Sequence, residues 1–375
     1  MKLIKRSEIS SIKSTAIRIF SIALALLVSA IFIYIFTGQN PLSVYGKMVQ
    51  GAFGSRYRFN EVAVKAVPLI ITSLGISLAF KMKFWNIGGE GQMYMGAFAA
   101  SFIALKYPGM PRPLLLIFMT IAGIAGGGLW ALIPAFFKAR WRTNETIVTL
   151  MLNYVALKFI TYLQFGPWRD PKATGFPKIP GFSQNAILPK FLGIHMGWII
   201  ALVLAFLMYI IMNRSKIGYE TAVIGESEKT ARYAGIDIKG TIMTVLFISG
   251  GLCGLAGMIE ASAVCNTLSV DLTGGAGYTA IIITWLSSLK APFIILVSML
   301  FAALVQGASY IQIAFNIPSS IAQMLQGIIL FFVLGSELFI KYRFISKRRL
   351  EKYIKYEIDG KSDTVDRKIA QKEEA

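Results

Sequence analysis

One histidine, His195, and two cysteines, Cys253 and Cys265, are all that 375 residues offer in the way of soft metal ligands. That excludes a Cys/His metal site and a disulfide framework, and leaves the cysteines as small apolar packing residues. A lone histidine, expected in an external loop, gives a histidine-based nucleophile or general base nothing to work with. No GxxxxGK[ST] loop occurs, so the chain has no phosphate cradle with which to hydrolyse ATP itself. Paired carboxylates of the kind that hold magnesium in lipid-processing enzymes are missing too. Gly275-Ala276-Gly277-Tyr278-Thr279-Ala280 formally matches a dinucleotide fingerprint, but no strand–turn–helix unit surrounds it. The chain is not expected to be an enzyme or to carry a cofactor.

Charge is also scarce. Only 15% of residues are charged, against about 25% in soluble domains, while 55% are apolar and the mean hydropathy is +0.61. The 38 basic residues outnumber 19 acidic ones, for a net charge of +19. They sit in short clusters at the ends of apolar runs, the pattern of a positive-inside membrane protein and not that of a nucleic-acid binder.

The apolar runs predict an all-α polytopic membrane protein of about ten segments, over 16–36, 63–80, 92–106, 114–137, 146–163, 197–212, 241–262, 276–288, 293–312 and 321–340. The first follows Lys2, Lys5, Arg6 and Lys13, is too long for a signal-peptide core and has no A-x-A cleavage site. It reads as a retained signal-anchor. Residues 1–15 form a cytoplasmic N-terminus, 16–340 the membrane domain and 341–375 a basic cytoplasmic tail that turns polar and disordered after Lys361. The proline-rich loop 164–196 lies outside and is irregular. Loop 213–240 lies inside and carries a short amphipathic helix.

Segments three and eight are too short for straight spans, and each follows a glycine-rich approach: Asn86-Ile87-Gly88-Gly89-Glu90-Gly91-Gln92 and Asp271-Leu272-Thr273-Gly274-Gly275-Ala276-Gly277-Tyr278. Interrupted helices in corresponding positions of two halves point to an inverted repeat around a solute path. Glu90 in such a break either caps the helix that follows it or meets solute; Gln92 either faces the pore or packs inside. Asn144, Glu145 and Asn153 flank or enter segment five, and Trp85, Tyr278 and Trp285 border the short helices. Such residues suit a nucleoside, bases on aromatics and hydroxyls on amides, or else anchor helix ends at the interface. Gly123/Gly127 and Gly250/Gly254 have the spacing that lets helices approach closely.

In the inner loop, Gly225-Glu226-Ser227-Glu228-Lys229-Thr230-Ala231-Arg232-Tyr233-Ala234-Gly235 predicts a helix started by Ser227 or Glu226, with Ala231, Tyr233 and Ala234 as its apolar surface and Gly235 as its stop. So short a helix is unstable alone and must dock, on its own membrane domain or on a motor subunit. A self-powered transporter would instead need a mid-membrane ion site, for which Glu90 is the candidate.

The run Asn86–Ala97, together with the Gly225–Gly235 loop, resembles the permeases of ribose-type and branched-chain amino-acid-type ABC importers. Thr143-Asn144-Glu145-Thr146-Ile147-Val148-Thr149-Leu150-Met151-Leu152-Asn153-Tyr154 is similar to the nucleoside-importer branch of that superfamily. The resemblance covers roughly residues 60–340. It implies a type II importer fold in a bacterial cytoplasmic membrane, and the ten crossings with the positive charge inside put both termini in the cytoplasm. The resemblance also implies a second, different permease as partner, a separate ATPase subunit, and an external binding (lipo)protein that delivers a nucleoside or another sugar-containing solute. Gly225, Glu226, Ala231, Arg232, Ala234 and Gly235 would then belong to the coupling helix that receives the ATPase stroke.

Overall fold

The computed structural model describes residues 2–5 and 11–345; the tail expected beyond 345 and the linker 6–10 lie outside the described residues. The chain forms two compact units, residues Met1–Val44 with Ile317–Ala375, and Tyr45–Asn316. In the first, α1 (Ser11–Thr37) packs along α13 (Ser319–Lys341). Strand β1 (Lys2–Lys5), just before α1, pairs antiparallel with β4 (Tyr342–Ile345), just after α13, with Leu3 opposite Phe344.

Most of α2 (Pro41–Phe53) and everything from α3 to α12 belongs to the second unit. Helix α3 (Arg56–Lys81) starts where Ser55 accepts a hydrogen bond from the Arg58 amide. From Ala66 to Phe80 every residue of α3 is buried, as expected of a helix wrapped on all sides. Helices α4 (Gly89–Lys106), α5 (Arg112–Trp141), α6 (Glu145–Phe165) and α7 (Gly197–Arg214) follow. The loop before α7 holds a short 3₁₀ turn, Gln184–Ala186, and a two-residue ladder, β2 (Lys190–Phe191) with β3 (Ile194–His195). Two short helices come next, α8 (Lys216–Glu226) and α9 (Glu228–Tyr233), then α10 (Ile238–Glu260), which runs into a π-turn over Ala261–Cys265. Helices α11 (Ala276–Leu286) and α12 (Ala291–Phe315) close the unit.

Among the described residues seven helices are long and apolar enough to cross a membrane: 19–37, α3, α5, α6, α7, 238–265 and α12. Helix α4 and the two shorter apolar helices, 276–286 and 323–333, supply the other three expected segments. Segment three begins three residues earlier than expected, which gives α4 a length of roughly 27 Å. Segment eight ends earlier, leaving α11 roughly 16 Å long, about half a hydrocarbon core.

Helix α10 packs along α3, α4 and α5. Its glycines meet those of α5: a Cβ on Gly127 would stand 2.6 Å from the Gly254 Cα. Only the absence of side chains at both positions allows the backbones this approach, so the small-residue spacing reports packing. Cys253 is buried in the same helix and Cys265, half-buried, ends the π-turn after it; both are free.

Candidate functional site

The loop between α3 and α4 and the approach to α11, two glycine-rich stretches almost 190 residues apart, meet inside the unit. The first is built by Asn86. Its Oδ1 accepts from the Gly88 amide at 3.1 Å, closing a side-chain turn, and from Gln92 Nε2 at 3.0 Å. Its Nδ2 donates to Gln92 Oε1 and to Ser249 Oγ on α10, both at 3.2 Å. Asn86 and Gln92 thus pair amide to amide with neither exposed to solvent.

Asn153 on α6 then satisfies the break. Its Oδ1 accepts from the Gly91 amide at 2.9 Å and its Nδ2 donates to the Ile87 carbonyl at 2.9 Å. One side chain therefore serves both an orphan donor and an orphan acceptor of the interrupted backbone. Gly91 has to be glycine, because a Cβ there would lie 2.8 Å from Asn153 Oδ1. The same Nδ2 reaches the Tyr278 hydroxyl on α11 at 3.3 Å.

Glu90 does cap a helix, but not the one that follows it. Its Oε2 accepts from the Gly277 amide at 2.7 Å, and its Oε1 from the Thr273 hydroxyl. The carboxylate stands at the N-terminus of α11, where free amides favour negative charge, and so binds the second glycine-rich stretch to the first. Gly277 permits this: a Cβ there would lie 2.7 Å from Glu90 Oε2. Gly275, left-handed at φ 80°, turns the chain into α11. Tyr94, one turn along α4 from Glu90, donates to the Val270 carbonyl at 2.5 Å, and Gln164 on α6 accepts from the Val270 amide at 3.1 Å.

Asn86, Glu90, Gln92 and Asn153 are buried, while Tyr278 is 38% exposed and Trp85 43%. Tyr278 and Trp285 lie seven residues apart, two turns along one face of α11. Trp85 stacks on Trp285 at 5.2 Å between ring centroids, with Phe80 beside both. Together they form an aromatic strip that starts at the polar junction and runs toward the end of α3.

Asn144 and Glu145 lie elsewhere. Asn144 is the N-cap of α6, accepting from the Thr146 and Ile147 amides at 3.0 and 3.4 Å. Glu145 takes Lys138 Nζ at 2.7 Å. Both are more than two helical turns from Asn153, roughly 12–14 Å along α6.

A third group of residues sits around α8 and α9. Ser227, and not Glu226, starts α9 by accepting from the Thr230 amide at 3.3 Å; Glu226 is the last residue of α8. Gly235, at φ 73°, stops it. Ala231 is buried, while Arg232, Ala234 and Tyr233 are exposed, the last by 94%. Gly225 lies at the end of α3, where a Cβ would stand 3.3 Å from the Lys81 carbonyl carbon. Lys81 in turn donates through Nζ to the Met212 carbonyl of α7. Four residues separate Lys81 from Asn86 in the chain, so α8 abuts the segment that leads into the interrupted helix.

Residues 58–334 match the family described as "Branched-chain amino acid transport system / permease component". The chain belongs to that family. It is 32% identical over 318 residues to the "Glucose ABC transporter permease protein TsgB13" of Haloferax volcanii, covering 81% of this chain and 83% of that one. Identity to the "Guanosine ABC transporter permease protein NupP" of Bacillus subtilis is 31% over 315 residues, 83% of this chain and 90% of the relative. The "Nucleoside ABC transporter permease protein NupB" of Lactococcus lactis subsp. cremoris is 27% identical over 332 residues, 86% and 91% of the two chains. The chain is the membrane-embedded permease subunit of an ABC importer, and an ATPase subunit is its partner. Of the residues singled out in the sequence, Asn86, Glu90, Gln92, Asn153 and Tyr278 come together at this junction, which also takes in Thr273, Ser249 and Gln164, none of them singled out. Thr273 alone carried a signal, as the one aliphatic hydroxyl inside the second glycine-rich run.

Proposed function

We propose that this permease imports nucleosides, with the aromatic strip Tyr278–Trp285–Trp85 as the wall they pass and the α4–α11 junction as its fixed backing. The observation that carries the reading is the division of the cluster. The side-chain amides and the carboxylate find their partners inside the chain and out of solvent, and the rings present their surfaces. A flat uncharged base stacks on such rings, while the Tyr278 hydroxyl can meet a ribose hydroxyl. Likeness to guanosine and nucleoside permeases supports the choice of solute. A sugar without a base is the second reading, favoured by the likeness to a glucose permease.

ATP hydrolysis takes place in the partner subunit, and α9 takes up its stroke. Exposed Tyr233, Arg232 and Ala234 offer the docking face and buried Ala231 anchors the helix. Movement then passes through α8, from Gly225 to the end of α3, and on to the loop that holds Asn86. The basic clusters support placing this end in the cytoplasm, with a second permease across the path and an external binding protein delivering solute. Uptake of labelled guanosine and of labelled glucose by cells with and without the chain tests the reading. Loss of guanosine uptake alone is expected; loss of glucose uptake alone overturns the nucleoside assignment and leaves the permease.

A further inference from the structure

An open groove of ≈ 570 Å³ lies between the C-terminal end of α5 and the α9–α10 junction. Its cations are Lys138, Arg140, Arg142, Arg232 and Lys239, and its acids Glu228 and Asp237. Lys138 is paired with Glu145, but the other four have no ion-pair partner among the described residues. Three of them are arginines, whose planar forks suit phosphate oxygens. Arg142 closes α5 in a left-handed conformation at φ 54°.

The rest of the lining narrows the ligand. Ile236, Ile238 and Ile242 contribute to it beside the cations, and so does Trp141, 60% exposed. A free phosphate needs only the charge. A ligand with a phosphate and the first methylenes of acyl chains uses charge and isoleucines together, and an exposed tryptophan at the end of a membrane-spanning helix marks the depth of lipid headgroups. Basic pockets between helices at a membrane surface take such headgroups. We propose that this groove binds the headgroup of an anionic phospholipid. Glu228 and Arg232 belong to both α9 and the groove, so an occupied site would hold α9 against the membrane surface. The site does not depend on which solute is carried, and it shares only Arg232 with the face of α9 proposed above to meet the ATPase.

The test uses the full chain, purified from vesicles containing equal amounts of phosphatidylglycerol and phosphatidylcholine with matched acyl chains. Retained lipids are counted by native mass spectrometry. Phosphatidylglycerol should be retained roughly fivefold over phosphatidylcholine, and Arg140→Gln with Arg142→Gln should bring the ratio close to one. Lys47→Gln with Lys172→Gln removes the same charge elsewhere and should leave the preference intact. If the double arginine variant does not fold, Lys239→Gln alone should still lower the ratio. Equal retention by the unmodified chain overturns the proposal, as does a preference that survives in the folded groove variants. Displacement of the lipid by millimolar inorganic phosphate would assign the site to a free anion and overturn it as well.

Discussion

The α4–α11 junction and the α8–α9 element are both built on glycines and short helices, yet they handle their polar groups in opposite ways. At the junction, Asn86, Gln92, Glu90 and Asn153 are buried and bonded to each other, to backbone and to Thr273. Little is left over for a ligand. In α9, by contrast, a six-residue helix is held by one cap and one buried alanine, and most of its side chains face outward. A helix that short is not stable by itself. The first region is finished within the chain; the second leaves its outward side chains open to a partner. Functional residues in such a permease can therefore be of two kinds, those that set the shape of the path and those that receive force, and their substitutions should fail differently.

The largest effect should come from Glu90→Ala. It leaves the Gly277 amide and the Thr273 hydroxyl without their acceptor, at about 1–3 kcal/mol for each group so orphaned. Both the melting temperature of the purified chain and uptake should fall, uptake by at least about tenfold. Glu90→Gln keeps one acceptor oxygen and should recover part of the stability. Intact uptake in a Glu90→Ala protein would mean that the two glycine-rich stretches need no tie.

Ala231→Asp combined with Gly235→Pro should act the other way. The fold and melting temperature should stay near those of the unmodified chain, because α9 contributes little to the core, while uptake per ATP hydrolysed by the assembled importer falls about tenfold. A folded double variant with full uptake would remove α9 from the coupling route. Gly225→Val sharpens the link between the two regions. Its side chain would push on the Lys81 carbonyl, so a smaller loss of coupling is expected together with a modest loss of stability.

How far these regions could be read in advance depended on whether the relevant contact is local. Asn86, the turn it makes and the pair with Gln92 lie within seven residues, and a glycine-rich break with polar residues is visible as such. Ser227 and Gly235 are likewise local signals for the start and stop of a helix. What Glu90 caps could not be read, because its partners Thr273 and Gly277 are brought to it by packing of α10 and α11, and periodicity carries no register between distant segments. Asn144 and Asn153 show the same limit within one helix: they share a motif in sequence, but a rise of 1.5 Å per residue separates cap from junction.

A milder change should follow at the aromatic strip. Tyr278→Phe keeps the ring and removes the hydroxyl that Asn153 reaches. The Asn153 bonds to Gly91 and Ile87 remain, so the junction should hold. The apparent KM for a nucleoside should rise a few-fold with little change in melting temperature. Trp285→Ala, which also unstacks Trp85, should raise it further for nucleosides than for ribose. Equal effects on both solutes would take the base off the strip.

The smallest effect is expected at His195, far from either region in function. It is 2% exposed, and neither ring nitrogen has a hydrogen-bond partner among the described residues. Burial, and to a lesser extent the charge of Lys190, pushes its pKa down to about 4, below the ordinary value near 6.5. The unfolded chain therefore takes up a proton on this residue at a higher pH than the folded one. Its contribution to stability is fully present above about pH 6.5 and is lost as the pH falls from there toward 4. The loss is about 1–3 kcal/mol at most, and confined to the loop before α7 it should show as faster proteolysis or amide exchange around 190–197 at pH 5 than at pH 7. His195→Leu removes the titrating group and should flatten that difference while leaving uptake at neutral pH unchanged. A difference that persists in the leucine variant would place the acid sensitivity of this loop on other groups.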